Sequence, residues 1–227
     1  MATLQDLEKA IDTLLSHHLG VGQYQLIQRV EEKAYEAYVF GLCLRAAREL
    51  GVTPLLRGII GAPNPFIFRG APGQIHSRGR NYGYAEFTLN GHEFEIHAGV
   101  EFKGTSGMTH ELDVCIMLAK AARACRNFHR RDAPHAASLV GGWECKFYGG
   151  KLQKGLGRAF VGLIDDMGAK MRLSGFCSNK DNLQLQLYFQ PKRRPYPHFE
   201  LTPLVPANED NLVNQIKCEL KKMTAAK

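Results

Sequence analysis

Two stretches decide how this chain is read: HELDVCIM (His110–Met117) and, about 30 residues later, GGWECKFY (Gly141–Tyr148). Both are apolar enough for buried strands, yet each carries two charges two positions apart. Side chains alternate along a strand, so Glu111 and Asp113 share one face while Leu112 turns to the other. Glu144 and Lys146 likewise share a face, with Trp143 and Cys145 behind them. Two adjacent strands of this kind would gather carboxylates and one ammonium on a single patch. Carboxylates crowded together repel and raise one another's pKa. A hard divalent ion, Mg²⁺ or Mn²⁺, resolves that repulsion because it takes oxygen ligands and keeps waters. Such an ion lowers the pKa of a bound water and neutralises charge building on a phosphoryl oxygen. A lysine beside it can orient or help deprotonate the attacking water, or stabilise the transition state.

Working outward, the clearest local signal is a hairpin. Tyr84–Leu89 and Glu93–Lys103 flank Asn90-Gly91, a pair that favours a type I′ turn. Strict alternation in the second strand puts Phe94, Ile96, Ala98, Val100 and Phe102 on one face, with Glu93, Glu95, His97 and Glu101 on the other. Helical spacing of Leu4, Leu7, Ile11, Leu14 and Leu15 predicts a first helix over Thr3–His17, with Thr3 as N-cap. A longer helix is predicted from about Tyr24 to Leu50, stopped by Gly51. The Pro- and Gly-rich segment Gly61–Gly73 reads as a loop around a short strand. After the second motif come an amphipathic helix over about Leu152–Met171 and a strand near Leu173–Ser178. A strand near Leu183–Gln190, a basic proline loop, a strand His198–Val205 and a helix from about Asn208 to Met223 complete the chain. Helices and strands mix throughout 1–227, without repeats or a low-complexity linker, so one α/β domain is expected. Its parts are an N-terminal helix (1–22), a core (24–178) and a C-terminal segment (179–227).

Charge narrows the partners. Net charge is +7, and 44% of residues are hydrophobic. Between Leu118 and Arg158 stand Lys120, Arg123, Arg126, Arg130, Arg131, Lys146, Lys151, Lys154 and Arg158 against only Asp132 and Glu144. That local excess equals the whole net charge. A concentrated basic patch suits a polyanion, because neutralised phosphates release counterions. Arg123, Arg126, Arg130 and Arg131, on a basic segment over 118–135, are therefore candidate phosphate contacts, as are Lys151, Lys154 and Arg158. No apolar run approaches eighteen residues, so no spanning helix is expected. The opening MATLQDLEK lacks the features of a secretory signal. Six scattered cysteines, none in a CxxC pair, read as reduced thiols, and a cytoplasmic setting follows as the expectation.

One charge stands apart. AYEAYVFGLCL (Ala34–Leu44) holds Glu36 as its single charged residue. A carboxylate in so apolar a stretch is expected to be partly buried and to need a partner such as Lys33 or Arg45, or a metal.

Taken together, HELDV with Asp113, GGWECKFY with its E-x-K, and the following helix LQKGLGRAFVGLIDDM resemble the PD-(D/E)XK nucleases, the restriction-endonuclease-like superfamily. The resemblance covers roughly Tyr24 to Ser178. It implies an α/β fold with a mixed central sheet flanked by helices. It also implies Asp113 and Glu144 as metal ligands, and Lys146 and Glu36 as further catalytic residues. Glu36 matches the glutamate that many members carry on the first core helix. Glu111 and Gln153, the latter at the helix entrance where related nucleases often carry a polar residue, are secondary site candidates. The activity implied is Mg²⁺-dependent hydrolysis of phosphodiester bonds, as a DNA endonuclease of restriction or defence type, with RNA also open as substrate. A homodimer that cuts both strands is a further implication. Two departures stand out: no proline immediately precedes Asp113, and the interval between the motifs implies a basic insertion. The alternative is a non-catalytic nucleic-acid-binding or assembly module that keeps the fold. Binding alone does not require converging acids, which favours the enzyme.

Other constellations carry less. His97 and Glu95 share a strand face, as polar sheet residues routinely do. His110 abuts the first motif, where a structural role is expected. Walker A spacing is absent around Gly149–Gly157, and Ser106 lacks a G-x-S-x-G elbow.

Overall fold

Thr3 caps the first helix as its type and place require. Its backbone N–H donates to Asp6 Oδ2 at 2.8 Å while Asp6 N–H donates back to Thr3 Oγ1 at 3.2 Å, a reciprocal capping box. The computed structural model describes residues 2–20, 22–127, 132–168, 171–192 and 195–225. Helix α1 (Leu4–Leu15) is followed by β1 (Tyr24–Leu26), α2 (Glu31–Glu49), β2 (Leu55–Gly58) and β3 (Phe66–Phe68). Then come β4 (Gly83–Leu89), β5 (His92–Lys103), β6 (Thr109–Leu118) and α3 (Ala119–Asn127). The rest is β7 (Leu139–Lys146), α4 (Lys154–Met167), β8 (Leu173–Ser178), α5 (Leu183–Phe189), β9 (Tyr196–His198) and α6 (Pro206–Thr224).

The fold is α/β, with a mixed sheet flanked by helices. Seven strands lie in the order β2-β4-β5-β6-β7-β8-β9. Neighbours are antiparallel from β2 to β7, and β8 and β9 then run parallel to β7. β1 and β3 form a separate parallel pair. No described helix is long and apolar enough to cross a membrane. All six cysteines are free thiols, and Cys43, Cys115, Cys145 and Cys177 are buried.

Helix α2 is apolar nearly all round because it is enclosed on every side. One flank lies on β5, β6 and β7, while α1 and α6 cover the others. Sequence periodicity starts this helix too early. Tyr24 and Leu26 instead form β1, where the Tyr24 ring meets Phe68 edge-on at 6.2 Å between centroids. Two apolar residues at spacing two fit a strand as well as a helix, and the partner β3 decides.

The Asn90-Gly91 hairpin forms as its sequence requires, with φ of 49° and 79°. Alternation along β5 does not persist to the end, however. Phe94, Ile96 and Ala98 belong to the core beneath α2, whereas Val100 and Phe102 belong to the core on the opposite face. The switch falls at Gly99, whose φ of 60° carries the chain past one position. Beyond it Glu101 pairs with Glu111 on β6, away from the face of Glu95 and His97.

Two C-terminal expectations are corrected. LQLQLYF alternates like a strand, yet Leu183–Phe189 is helix α5, opened by Asn182, whose side chain accepts from Leu185 N–H. Leu185 and Phe189, four apart, are buried against Gly157 of α4, while Leu183 and Leu187 stay exposed. Docking of that pair overrides the period of two. The strand expected over His198–Val205 is Tyr196–His198 instead, and the chain turns at Glu200, where φ is 51°.

Candidate active site

The two motif strands are neighbours, and their divergence creates the site. Between β6 and β7 the ladder runs from Met117/Leu139 to Val114/Trp143, with a bulge at Ile116/Met117. One step further Asp113 would lie level with Glu144. There β6 stays paired with β5 while β7 continues alongside β8. The Cys145 N–H at this fork donates to Asp113 Oδ2 at 2.7 Å, so the backbone itself fixes the carboxylate. Trp143 and Cys145 are buried beneath α2, as alternation requires. On the other side of the strand Lys146 Nζ reaches Glu144 Oε1 at 2.6 Å and lies 3.7 Å from Asp113 Oδ2. Asp113, Glu144 and Lys146 therefore form one ionic cluster.

Helix α2 contributes the rest. Glu36 is buried, 6% exposed, and accepts from Lys33 Nζ at 2.7 Å. Burial, then the charge of Asp113, pushes its carboxyl up to about 8, against the opposing pull of Lys33. Glu111 is pushed up to about 7 by burial and by Asp113. Its Oε1 atom is buried with no hydrogen-bond partner among the described residues. Glu144 is also raised, by burial first and Asp113 second, although Lys146 favours its charged form. Lys146 itself is held above the ordinary lysine value: burial opposes its charge, but Asp113 and Glu144 outweigh that. The ammonium is thus the settled charge of the pair, while burial and then the neighbouring Asp113 carboxylate raise Glu144. Lys33 was legible only as a partner for Glu36. Its position three residues earlier on the same helix was the available signal, and it senses Asp113 and Glu111 as well.

This donor set suits a hard cation in type, since every ligand atom is a carboxylate oxygen. Among the described residues, no group of three or more His, Cys, Asp and Glu side chains is spaced to hold a metal ion. The Lys146 ammonium already stands where Asp113 and Glu144 approach each other. Seating a divalent ion there requires Glu144 to exchange its bond to Lys146 for one to the metal.

The basic candidates divide. Arg126 is committed first to an internal partner: its Nη1 and Nη2 each lie 2.5 Å from the Glu95 carboxylate, its guanidinium sits over the Tyr84 ring, and its side chain is 11% exposed. The reason is local. Glu95 lies wholly inside the protein, and a buried carboxylate has to recruit a counter-charge. His97 Nε2 lies 2.8 Å from the same carboxylate, so His97 and Glu95 form a structural triad with Arg126. Arg123 pairs with Glu93, and both are well exposed. Arg130 and Arg131 lie outside the described residues. Lys151, Lys154 and Arg158 are exposed around the start of α4, and Gln153 is its N-cap residue, exposed and without a side-chain capping bond. None of these four joins the Asp113 cluster. His110 is structural, bonded at 2.6 Å to Asp166, which also accepts from Ser106 N–H and Oγ and so ties the loop after β5 to the end of α4.

Compared with known proteins, the chain matches no family model, no curated protein and no solved structure.

Proposed function

We propose that this chain is a divalent-metal-dependent nuclease with a restriction-endonuclease-like core that hydrolyses phosphodiester bonds, DNA first and RNA as the other substrate to test. One observation carries the reading: Asp113, locked to the Cys145 N–H at a fork between strands, within 3.7 Å of a Lys146 ammonium that also bonds Glu144. The succession of an acidic strand, an E-x-K strand, an amphipathic helix and a strand parallel to the second supports it. So does Glu36 presented from the helix across the sheet. A structural ion pair alone gives no reason to crowd four carboxylates until two titrate near neutrality.

Asp113 and Glu144 would hold the ion, with Glu36 and Glu111 beside them. When bound, Mg²⁺ or Mn²⁺ supplies charge neutralisation at the phosphoryl oxygens and a more acidic water. Lys146 stays protonated, so its role is to orient that water by donating to it and to balance charge on the phosphate. A bound cation would offset the burial and the Asp113 charge that push Glu36 up, and so would favour its carboxylate form. Lys151, Lys154 and Arg158 contact backbone phosphates. A homodimer and a cytoplasmic setting belong to the same proposal.

Incubation of supercoiled plasmid and of labelled RNA with the protein, in Mg²⁺ and in EDTA, tests it. Nicking or cutting in Mg²⁺ alone is expected. Binding of either substrate without cutting in Mg²⁺ or Mn²⁺ would establish the non-catalytic module instead, with the Glu144–Lys146 pair as a permanent bond.

A further inference from the structure

A second basic site lies on the sheet face turned away from α2. Loop residues His76 and Arg78, β4 residues Tyr84 and Glu86, and α3 residues Arg123 and Arg126 line a cavity of about 270 Å³. Glu95 and His97 of β5 project to this face, whereas Glu36 approaches from α2 on the opposite one. Three guanidiniums border one small volume, and each nearby carboxylate is already engaged. Arg57 pairs with Glu86 at 2.6 Å, Arg123 with Glu93, and Arg126 with Glu95. Arg78 is the cation left over, with no ion pair among the described residues, and it is exposed at the mouth.

We infer that this cavity is a phosphate-binding site, distinct from the Asp113 cluster. Arg126 is the fixed element. Two of a guanidinium's five N–H groups serve Glu95, and the Tyr84 ring holds the plane 4.4 Å away, so the remaining donors are oriented in advance. Arg123 is the mobile element: its exposed pair with Glu93 is weak enough to be exchanged for a phosphate. Arg78 supplies the charge that has no internal partner. A tetrahedral oxyanion with several acceptor oxygens matches these donors, whereas a cation or an apolar group does not. The cavity shares no residue with the Asp113 cluster, so the phosphate held here is not the one attacked. It is either a distant backbone phosphate of the nucleic acid or a free phosphate ion. Only the first source rests on the nuclease reading, and binding is measured without turnover.

The test uses the whole protein in EDTA at low ionic strength, with two probes: inorganic phosphate by calorimetry, and a short labelled DNA duplex by anisotropy. Arg78→Ala is compared with Arg80→Ala, which removes the same charge from the same exposed loop but does not line the cavity. Melting curves verify that both fold. Arg78→Ala is expected to weaken binding about tenfold more than Arg80→Ala, the scale of one charge-assisted hydrogen bond. Loss with both probes identifies a site open to free phosphate, and loss with duplex alone identifies a backbone-phosphate site. Equal effects of the two substitutions, or no binding of either probe by the unaltered protein, overturn the inference. Cleavage lost elsewhere leaves this comparison intact, so the two proposals fail separately.

Discussion

Glu36→Gln should remove the largest part of a loss of folding stability that the unaltered protein suffers as pH rises. Folded Glu36 keeps its proton until about pH 8, whereas an unfolded glutamate releases it near 4.5. Between those values the folded chain binds the more protons, so stability is complete below 4.5 and falls as pH rises through 8. At about 1.4 kcal/mol per pKa unit, the full shift withdraws on the order of 5 kcal/mol, a large share of a typical domain's stability. Glu111, more open to solvent, adds a smaller term of the same sign. Glutamine is isosteric, still accepts from Lys33, and never ionises. Urea unfolding in EDTA at pH 5, 7 and 9 gives the comparison directly. A midpoint that falls with pH for the unaltered chain, and falls clearly less for Glu36→Gln because only the Glu111 and Glu144 terms remain, is expected. A flat profile for the unaltered chain, or an equal slope in both, would refute the claim that Glu36 is a buried carboxyl crowded by Asp113.

Other expectations follow from the same geometry. Lys146→Ala should slow Mg²⁺-dependent cleavage by at least ~100-fold, the usual scale for a positioned electrostatic or proton-transfer group, while calorimetric metal binding survives. Loss of metal binding would mark the lysine as structural. Arg126→Ala leaves Glu95 buried beside His97 without its guanidinium, so a stability loss of about 3–5 kcal/mol in denaturant titrations is expected. A variant as stable as the parent would show that the triad is dispensable. Replacing Lys154 and Arg158 together with Ala should flatten the slope of log affinity against log salt by roughly two, about one per phosphate contact. An unchanged slope would remove α4 from the nucleic-acid interface.

Much of the site was legible because strand alternation is a rigid rule. It placed Glu144 beside Lys146 and put Trp143 and Cys145 behind them, and the apolar context of Glu36 announced its burial. The fork that brings Asp113 to the Cys145 N–H is a property of four strands together, and no local pattern records it. The bond of Arg126 to Glu95 escaped the sequence for a related reason. The spacing of Arg126 on α3 is that of a surface stripe, and only the face given to Glu95 shows where its guanidinium goes. In α5, alternation and four-residue spacing coexist in LQLQLYF, and the Gly157 surface chose between them. At Gly99 one backbone conformation reversed the faces that alternation had assigned along β5.

The claim that matters most is that Asp113 and Glu144 carry cleavage rather than the fold. The direct measurement is single-turnover cutting of a labelled duplex in Mg²⁺ by the unaltered protein, Asp113→Asn and Glu144→Gln, with duplex affinity and melting temperature recorded alongside. Cleavage abolished in both variants, with affinity and melting close to those of the parent, is the predicted result. Near-normal Mg²⁺-dependent cutting by either variant would contradict the assignment.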